Sequence, residues 1–188
     1  MVEQAVRRAL KTPGWMSEDE LRWLGTRAQG RGLVVEVGAW RGRTTTVLST
    51  VAERVLVVDT WRGVEGVPRD GTGKVVARIG SDELFAEYCL RFSEKIHDGT
   101  VTPIRISSKN ARDIMSVYMR GQKADMIFID ADHLTLAGDL AVFAPMVREG
   151  GLLCGHDYHD RWPEVVKDVK ENVPGFKLGP PSIWFREV

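Results

Sequence analysis

The sequence predicts an α/β fold: a doubly wound, mostly parallel, seven-stranded sheet with helices on both faces and a C-terminal antiparallel hairpin. Three observations predict it. Short apolar runs alternate with helix-period segments along most of the chain, the order expected of strands joined by helical crossovers. The runs are nearly continuous in Val, Ile and Leu, as strands covered on both faces require. The last two runs lie too close together for a parallel crossover, so they pair as a hairpin.

Helices are expected at Glu3–Lys11 and Glu18–Gln29, the second capped by Ser17 with Glu20 three residues on. The first strand runs Gly32–Val37. A helix over Thr44–Val51 follows, then a second strand, Arg54–Val58, ending in Asp59. Residues Trp61–Gly80 mix glycine, charge and one proline without periodicity, which marks a long loop or substrate lid. Ser81–Ile96 reads as helix, Val101–Ile106 as strand, Lys109–Met119 as helix, and Ala124–Ile129 as a strand closed by Asp130. Thr135–Met146 returns as a helix and Gly151–Cys154 is a short strand. Pro163 then opens a helix to Asn172, at a position where its missing N–H has no partner to lose. Phe176–Leu178 and Ser182–Arg186, joined by Gly179, Pro180 and Pro181, form the hairpin.

The 188 residues suit one hydrophobic core, so a single domain over 1–188 is expected, with 1–31 as a helical cap and 61–80 as the lid. Twenty-six basic residues balance twenty-six acidic ones, which leaves no electrostatic footprint for nucleic acid or an anionic membrane. A small-molecule partner is the expectation. Without a charged-then-apolar leader or a membrane-length apolar run, a cytoplasmic location is expected. Cys89 and Cys154 are the only cysteines. Two buried, reduced thiols are the expectation, not a disulfide framework or a metal knuckle.

Ligands of such sheets bind outside the carboxyl ends of the strands, so the polar residues there are the candidates for chemistry. Glu36 ends the first strand, and Gly38 and Gly42 allow the turn after it to approach a ligand closely. A carboxylate at that point disfavours a pyrophosphate and favours a ligand presenting hydroxyls, an amine or a cation. Asp59, at the end of the second strand, is placed to accept ribose hydroxyls. Trp40 and Trp61 flank these two turns. Arg41 and Arg43 bracket Gly42, either to meet a carboxylate or as a solvated helix start.

A second cluster joins Asp130, Asp132 and His133 to His156, Asp157 and His159. Asp130 and Asp157 end strands expected to be neighbours, and two converging carboxylates need a proton or cation between them. Mg²⁺ or another hard divalent ion suits such oxygens; the alternative is carboxylates capping turns around solvent. His133 is the general-base candidate. His156 and His159 are candidates for a metal ligand and a substrate contact, and His97 for the surface. Trp15, Trp23, Trp162 and Trp184 read as core, lid-base or interface residues.

Together these residues resemble the class I S-adenosylmethionine-dependent methyltransferases. The likeness is greatest to the small-molecule O-methyltransferases of the macrocin O-methyltransferase and cephalosporin-hydroxylase-like group, and covers Gly32 to about Val188. The E-x-G-x-x-x-G-x-T signature stands as Glu36, Gly38, Gly42 and Thr44. The resemblance implies a Rossmann-like methyltransferase fold in which Glu36 and the glycine turn hold the methionine part of the cofactor and Asp59 its ribose. It also sets Ser108 at the adenine, beside Ser107 and Lys109, and Ala39, Trp40, Thr60, Trp61 and Asp130 against the cofactor. By the same likeness Asp130 and Asp157 hold Mg²⁺, His133 stands where relatives carry a lysine base, and Asp157-Tyr158 replaces an Asp-Asn ligand pair. The third ligand is then His156, Asp132 or water. A homo-oligomer is a further implication. The rival readings are a metal-dependent hydroxylase-like enzyme on this fold and a non-catalytic S-adenosylmethionine-binding protein. A dehydrogenase is disfavoured because the first turn lacks close G-x-G spacing, and an RNA methyltransferase by the neutral charge.

Overall fold

Alternation of side chains along buried strands builds the two faces of the sheet. In β1 (Leu33–Val37) every residue is buried, with Leu33, Val35 and Val37 in one apolar cluster and Val34 in the other. A computed structural model describes residues 1–62 and 81–188; apart from Trp61 and Arg62, the expected lid over 61–80 lies outside the described residues. The remaining strands are β2 (Arg54–Asp59), β3 (Val101–Arg105), β4 (Ala124–Ile129), β5 (Val147–Gly155), β6 (Lys177–Leu178) and β7 (Trp184–Glu187). They form one seven-stranded sheet in the order β3-β2-β1-β4-β5-β7-β6. β1 to β5 run parallel, and β7 is antiparallel to both β5 and β6.

The helices are α1 (Val2–Ala9), α2 (Glu18–Ala28), α3 (Arg43–Val51), α4 (Ser81–Arg91), α5 (Ser93–His97), α6 (Ala111–Tyr118), α7 (Leu136–Phe143) and α8 (Pro163–Asn172). One face of the sheet is covered by α1 to α5. Buried Ala5, Val6, Ala9, Leu21, Leu24, Val47 and Leu48 pack there with Val55, Val57, Met126 and Phe128 of the strands. The other face is covered by α6 to α8 through Met115, Leu140, Phe143, Val165 and Val169. The predicted Ser17 cap is present as a full capping box, with the Ser17 hydroxyl accepting Glu20 N–H and Glu20 Oε2 accepting Ser17 N–H at 2.7 Å. No helix among the described residues is long and apolar enough to cross a membrane.

Several boundaries differ from the sequence expectation. The helix expected over Ser81–Ile96 is two helices, broken where Phe92 leaves helical geometry and buries its ring against Tyr88. The Thr135–Met146 helix ends at Phe143 because Pro145 cannot continue the hydrogen-bond ladder; Ala144–Met146 is a single 3-10 turn. Residues 108–110 likewise form a 3-10 turn ahead of α6. β5 starts earlier than Gly151, since Val147 pairs with Ala124 before a register shift sets Arg148–Gly150 outward. Cys154 is fully buried, whereas Cys89 is only partly so, and both are free thiols.

The join between the parallel strands and the hairpin is tight. Gly155 ends β5 opposite Trp184, a fully buried ring, and a Cβ at Gly155 would lie 2.6 Å from both the Ile129 carbonyl oxygen and Trp184 Cε2. Gly155→Ala is therefore expected to lower unfolding free energy by about 1–3 kcal/mol, as overpacking does in cores that cannot yield. Urea unfolding of the two proteins checks this; an unchanged midpoint contradicts it.

Candidate active site

The carboxyl ends of β1, β2, β4 and β5 lie along one edge, and the chain leaves β1 toward β2 while β4 flanks it on the other side. A crevice opens at such a switch point. A cleft of ≈ 1070 Å³ occupies it, bounded by the strand ends, the Pro13–Ser17 loop and the Ser107–Lys109 turn. A cavity of ≈ 600 Å³ around Gly32, Arg54 and Lys123 lies at the opposite, amino-terminal edge.

The first half of the cleft is a turn built by backbone geometry. Gly38 (φ +89°) and Gly42 (φ +84°) are both left-handed, and a side chain at Gly38 would overlap the Asp130 carbonyl while one at Gly42 would overlap the Phe92 ring. Asp59 braces the turn: Oδ2 accepts the N–H groups of Ala39 (2.7 Å) and Trp40 (2.8 Å), and Oδ1 that of Trp61 (2.6 Å). Three of the roughly four acceptor positions of the carboxylate are thus used. The two tryptophans it holds adopt φ of 45° and 51°, a conformation that costs on the order of 1–3 kcal/mol each and persists where the surroundings impose it.

Glu36 lies one layer below. It is fully buried, faces α3, and is not among the residues lining the cleft. Its Oε2 accepts the Thr45 hydroxyl at 2.6 Å, Thr45 in turn accepts the Tyr88 hydroxyl at 3.2 Å, and Oε1 has no partner among the described residues. Burial, with Asp130 and Asp59 nearby, pushes Glu36 up to about 8 against the opposing Thr45 hydrogen bond. Trp61 belongs to the core, packed on Phe85 and Tyr88 with its indole N–H given to the Trp40 carbonyl. Trp40 stacks at 4.5 Å on Trp15, which is 67% exposed at the rim. Arg43 binds the Thr12 and Met16 carbonyls and holds the Pro13–Ser17 loop, while Arg41 pairs with Glu87 at 3.1 Å.

The second half concentrates charge. His156 Nδ1 faces Asp157 Oδ1 at 3.2 Å and Asp130 Oδ1 at 3.6 Å, and its Nε2 lies 2.9 Å from Glu20 Oε1. The Ser182 hydroxyl donates to the same Glu20 oxygen at 2.7 Å. Burial disfavours a charged His156, yet Asp130, Asp157 and Glu20 outweigh it and raise its pKa to about 12. Glu20, despite its burial, is held down at about 2, chiefly by His156. Asp157, in left-handed backbone at φ 62°, accepts from His133 Nε2 at Oδ2 at 2.5 Å. Burial also works against charge on His133, but Asp157 beside it leaves the net shift upward. The His133 ring stacks on Trp162 at 3.9 Å.

Of the residues predicted to meet a cofactor, Gly38, Ala39, Trp40, Thr44, Asp59, Thr60, Trp61, Ser107, Ser108 and Asp130 line this one cleft, and Glu36 and Gly42 do not. Asp130, His156 and Asp157 offer ligand atoms within 4.8 Å of one another. Asp132 instead caps the next turn through Leu134 N–H, and the Tyr158 ring packs on Phe176. His97 is exposed, as expected. One residue, Glu20, was not legible as a site element. Glu20 reads as a helix cap, and nothing in its spacing connects it to a residue 136 positions later. Outside the cleft lining, Asp139 of α7 is fully buried with neither carboxylate oxygen hydrogen-bonded among the described residues, and burial pushes it up to about 6.

The model of a methyltransferase-domain family matches residues 35–158, from β1 through the end of β5, and the chain belongs to that family. No curated protein matches by sequence. Among solved structures, the O-methyltransferase from Bacillus cereus in complex with SAH is similar at 13% identity, with a TM-score of 0.65 over 100% of this chain and 90% of that one. Cofactor-bound Rv0187 from MTB is similar at 13% identity and a TM-score of 0.66, over 100% and 87%. The calicheamicin methyltransferase CalS11 is similar at 16% identity and a TM-score of 0.61, over 98% and 91%. At these identities the three share the fold.

The buried Glu36 has a measurable consequence. The folded protein holds its proton up to about pH 8, whereas the unfolded chain releases it near 4.5, so between those values the folded state binds more protons and Glu36 lowers stability as pH rises. Glu36→Gln is expected to remove that contribution. Urea midpoints at about pH 5 and about pH 8 should show the variant gaining on the parent as pH rises; parallel pH profiles contradict a neutral Glu36.

Proposed function

We propose that the protein transfers the methyl group of S-adenosylmethionine to a hydroxyl oxygen of a small molecule, with a divalent cation held beside the acceptor by Asp130, Asp157 and His156. The observation that carries this reading is the two-part cleft. A glycine turn at β1 abuts, through Gly38 and Asp130, a carboxylate–imidazole cluster at the ends of β4 and β5.

The residues present fit both groups. A cleft of ≈ 1070 Å³ is at the upper end of ordinary ligand pockets, enough for a cofactor and a small acceptor together. The floor is acidic, with Asp59 and Asp130 in the lining, which suits a cationic cofactor better than an anionic one. S-adenosylmethionine, when bound, supplies a methyl group on a sulfonium centre. The donor set of two carboxylate oxygens and one imidazole nitrogen fits a divalent ion, whose charge favours an ionised acceptor oxygen.

The chain's own groups orient the acceptor and take its proton. With the His133 Nε2–H donated to Asp157, the lone pair of Nδ1 is left to accept a proton from the acceptor hydroxyl. The Trp162 stack fixes that ring, and Asp157 stabilises the imidazolium that results. Trp15 and Trp40 form an aromatic wall at the rim, against which an apolar or sugar face of the acceptor packs. The Bacillus cereus protein similar in fold is an O-methyltransferase, which supports oxygen as the acceptor atom. The balanced charge of the chain favours a small molecule over nucleic acid.

Calorimetric titration of the EDTA-treated protein with S-adenosylhomocysteine is expected to show micromolar or tighter binding; a folded sample that binds none overturns the proposal. Transfer of labelled methyl to a panel of catechols and glycosides, with divalent ions present, then reads the reaction. His133→Ala is expected to lower kcat by about 10²–10⁴-fold without changing S-adenosylhomocysteine affinity. Acceptor turnover without consumption of the methyl donor would instead favour the hydroxylase-like reading.

A further inference from the structure

The third ligand position has a support that oxygen-only sites lack. Two atoms each about 2.1 Å from one ion, at right to tetrahedral angles, lie about 3.0–3.4 Å apart. His156 Nδ1 stands 3.2 Å from Asp157 Oδ1 and 3.6 Å from Asp130 Oδ1, close to that spacing. The imidazole is 7% exposed and turned from the other side. Its Nε2 meets the Glu20 carboxylate at 2.9 Å and the Ser182 hydroxyl at 3.1 Å. Glu20 itself is fixed, with Oε2 accepting the Ser17 N–H and hydroxyl, both at 2.7 Å, and Oε1 accepting the Ser182 hydroxyl. A carboxylate that takes the far N–H of a histidine selects its tautomer, directs the near nitrogen's lone pair and raises its basicity.

We infer that Glu20 of the amino-terminal helix α2 orients His156 as a nitrogen ligand, and that the site therefore selects a first-row transition-metal dication over Mg²⁺. This rests on the divalent-cation part of the proposed function. Mg²⁺ prefers oxygen donors and keeps its waters, whereas imidazole favours Fe²⁺, Co²⁺, Ni²⁺ and Zn²⁺. Asp130 and Asp157 are acceptable to either class, so the choice falls to His156. The cap formed by α2 is then part of the metal centre: Glu20 is a positioning residue that closes one end of its helix and aims the ligand with the same carboxylate.

Titration of the EDTA-stripped full chain with Co²⁺ and separately with Mg²⁺, by calorimetry, tests the selection. Co²⁺ is expected to bind at least about tenfold more tightly. His156→Asn, which offers an oxygen in place of nitrogen, should shrink that ratio. In the Co²⁺-loaded protein, proton NMR should show one strongly shifted, solvent-exchangeable imidazole N–H, the Nε2 proton given to Glu20, absent from the His156→Asn variant. Glu20→Gln should weaken Co²⁺ binding by about 10–100-fold, while Arg22→Ala, which removes the exposed ion pairs of α2 with Glu3, Glu18 and Asp19 and leaves the Glu20–His156 contact, should not show that loss. Equal Co²⁺ and Mg²⁺ affinities, or a Co²⁺ complex without the shifted N–H, overturn the inference. S-adenosylhomocysteine titration of the same samples separates the two readings. Retained nucleoside binding with no metal binding removes the metal site alone, and loss of nucleoside binding by the folded parent protein removes the methyltransferase reading.

Discussion

The closeness of β1 to β4 at their carboxyl ends sets the geometry of everything above the sheet. Val37 and Ile129 are paired, and the Asp130 N–H continues the ladder by donating to the Val37 carbonyl at 2.8 Å. The chain leaving β1 must therefore turn within contact of the Asp130 backbone, and only a residue without Cβ fits there. Gly38 is the outcome of that constraint. The turn it permits brings Ala39 and Trp40 over Asp59, and the same approach places the first half of the cleft directly against the second.

The second organising factor is the management of buried acid. The formal charge of the chain is zero, yet Glu20, Glu36, Asp59, Asp130 and Asp157 all gather around one cleft. Each is accommodated by different chemistry. Asp59 receives three backbone N–H groups. Glu36 has one hydroxyl for a partner and is driven toward its neutral form. Asp130, Asp157 and Glu20 share His156 and favour its protonated form, whose Nδ1 proton a bound metal would displace. A site that stabilises an imidazolium among three carboxylates offers the same electrostatic environment to other cations, which links the protein's own charge balance to the ligands proposed for it.

Much of this was legible in the chain. Continuous Val, Ile and Leu runs identified the parallel strands because both faces of the sheet are covered, and the short Gly-Pro-Pro link forced the final pair to be antiparallel. Acidic residues at strand ends marked the cleft because the carboxyl edge is where a doubly wound sheet leaves space. The misread boundaries are those where packing overrides periodicity. Phe92 breaks a helix to enter the core, and Trp61, which lines the cleft beside its turn, also packs its ring into the core against Phe85 and Tyr88.

What the sequence determined by itself was the order and type of the elements, the Ser17–Glu20 cap, and the turn glycines, all of which rest on interactions between near neighbours. The tertiary structure decided which distant groups share a hydrogen bond. Glu20 meets His156 and Ser182 only because α2 packs beside the end of β5 and the hairpin returns past both. Asp139 is buried only because α7 lies beneath the Ser108–Asn110 turn. Local patterns encode a residue's own conformation. The partner across the core depends on how several elements pack at once, and no spacing along the chain records that.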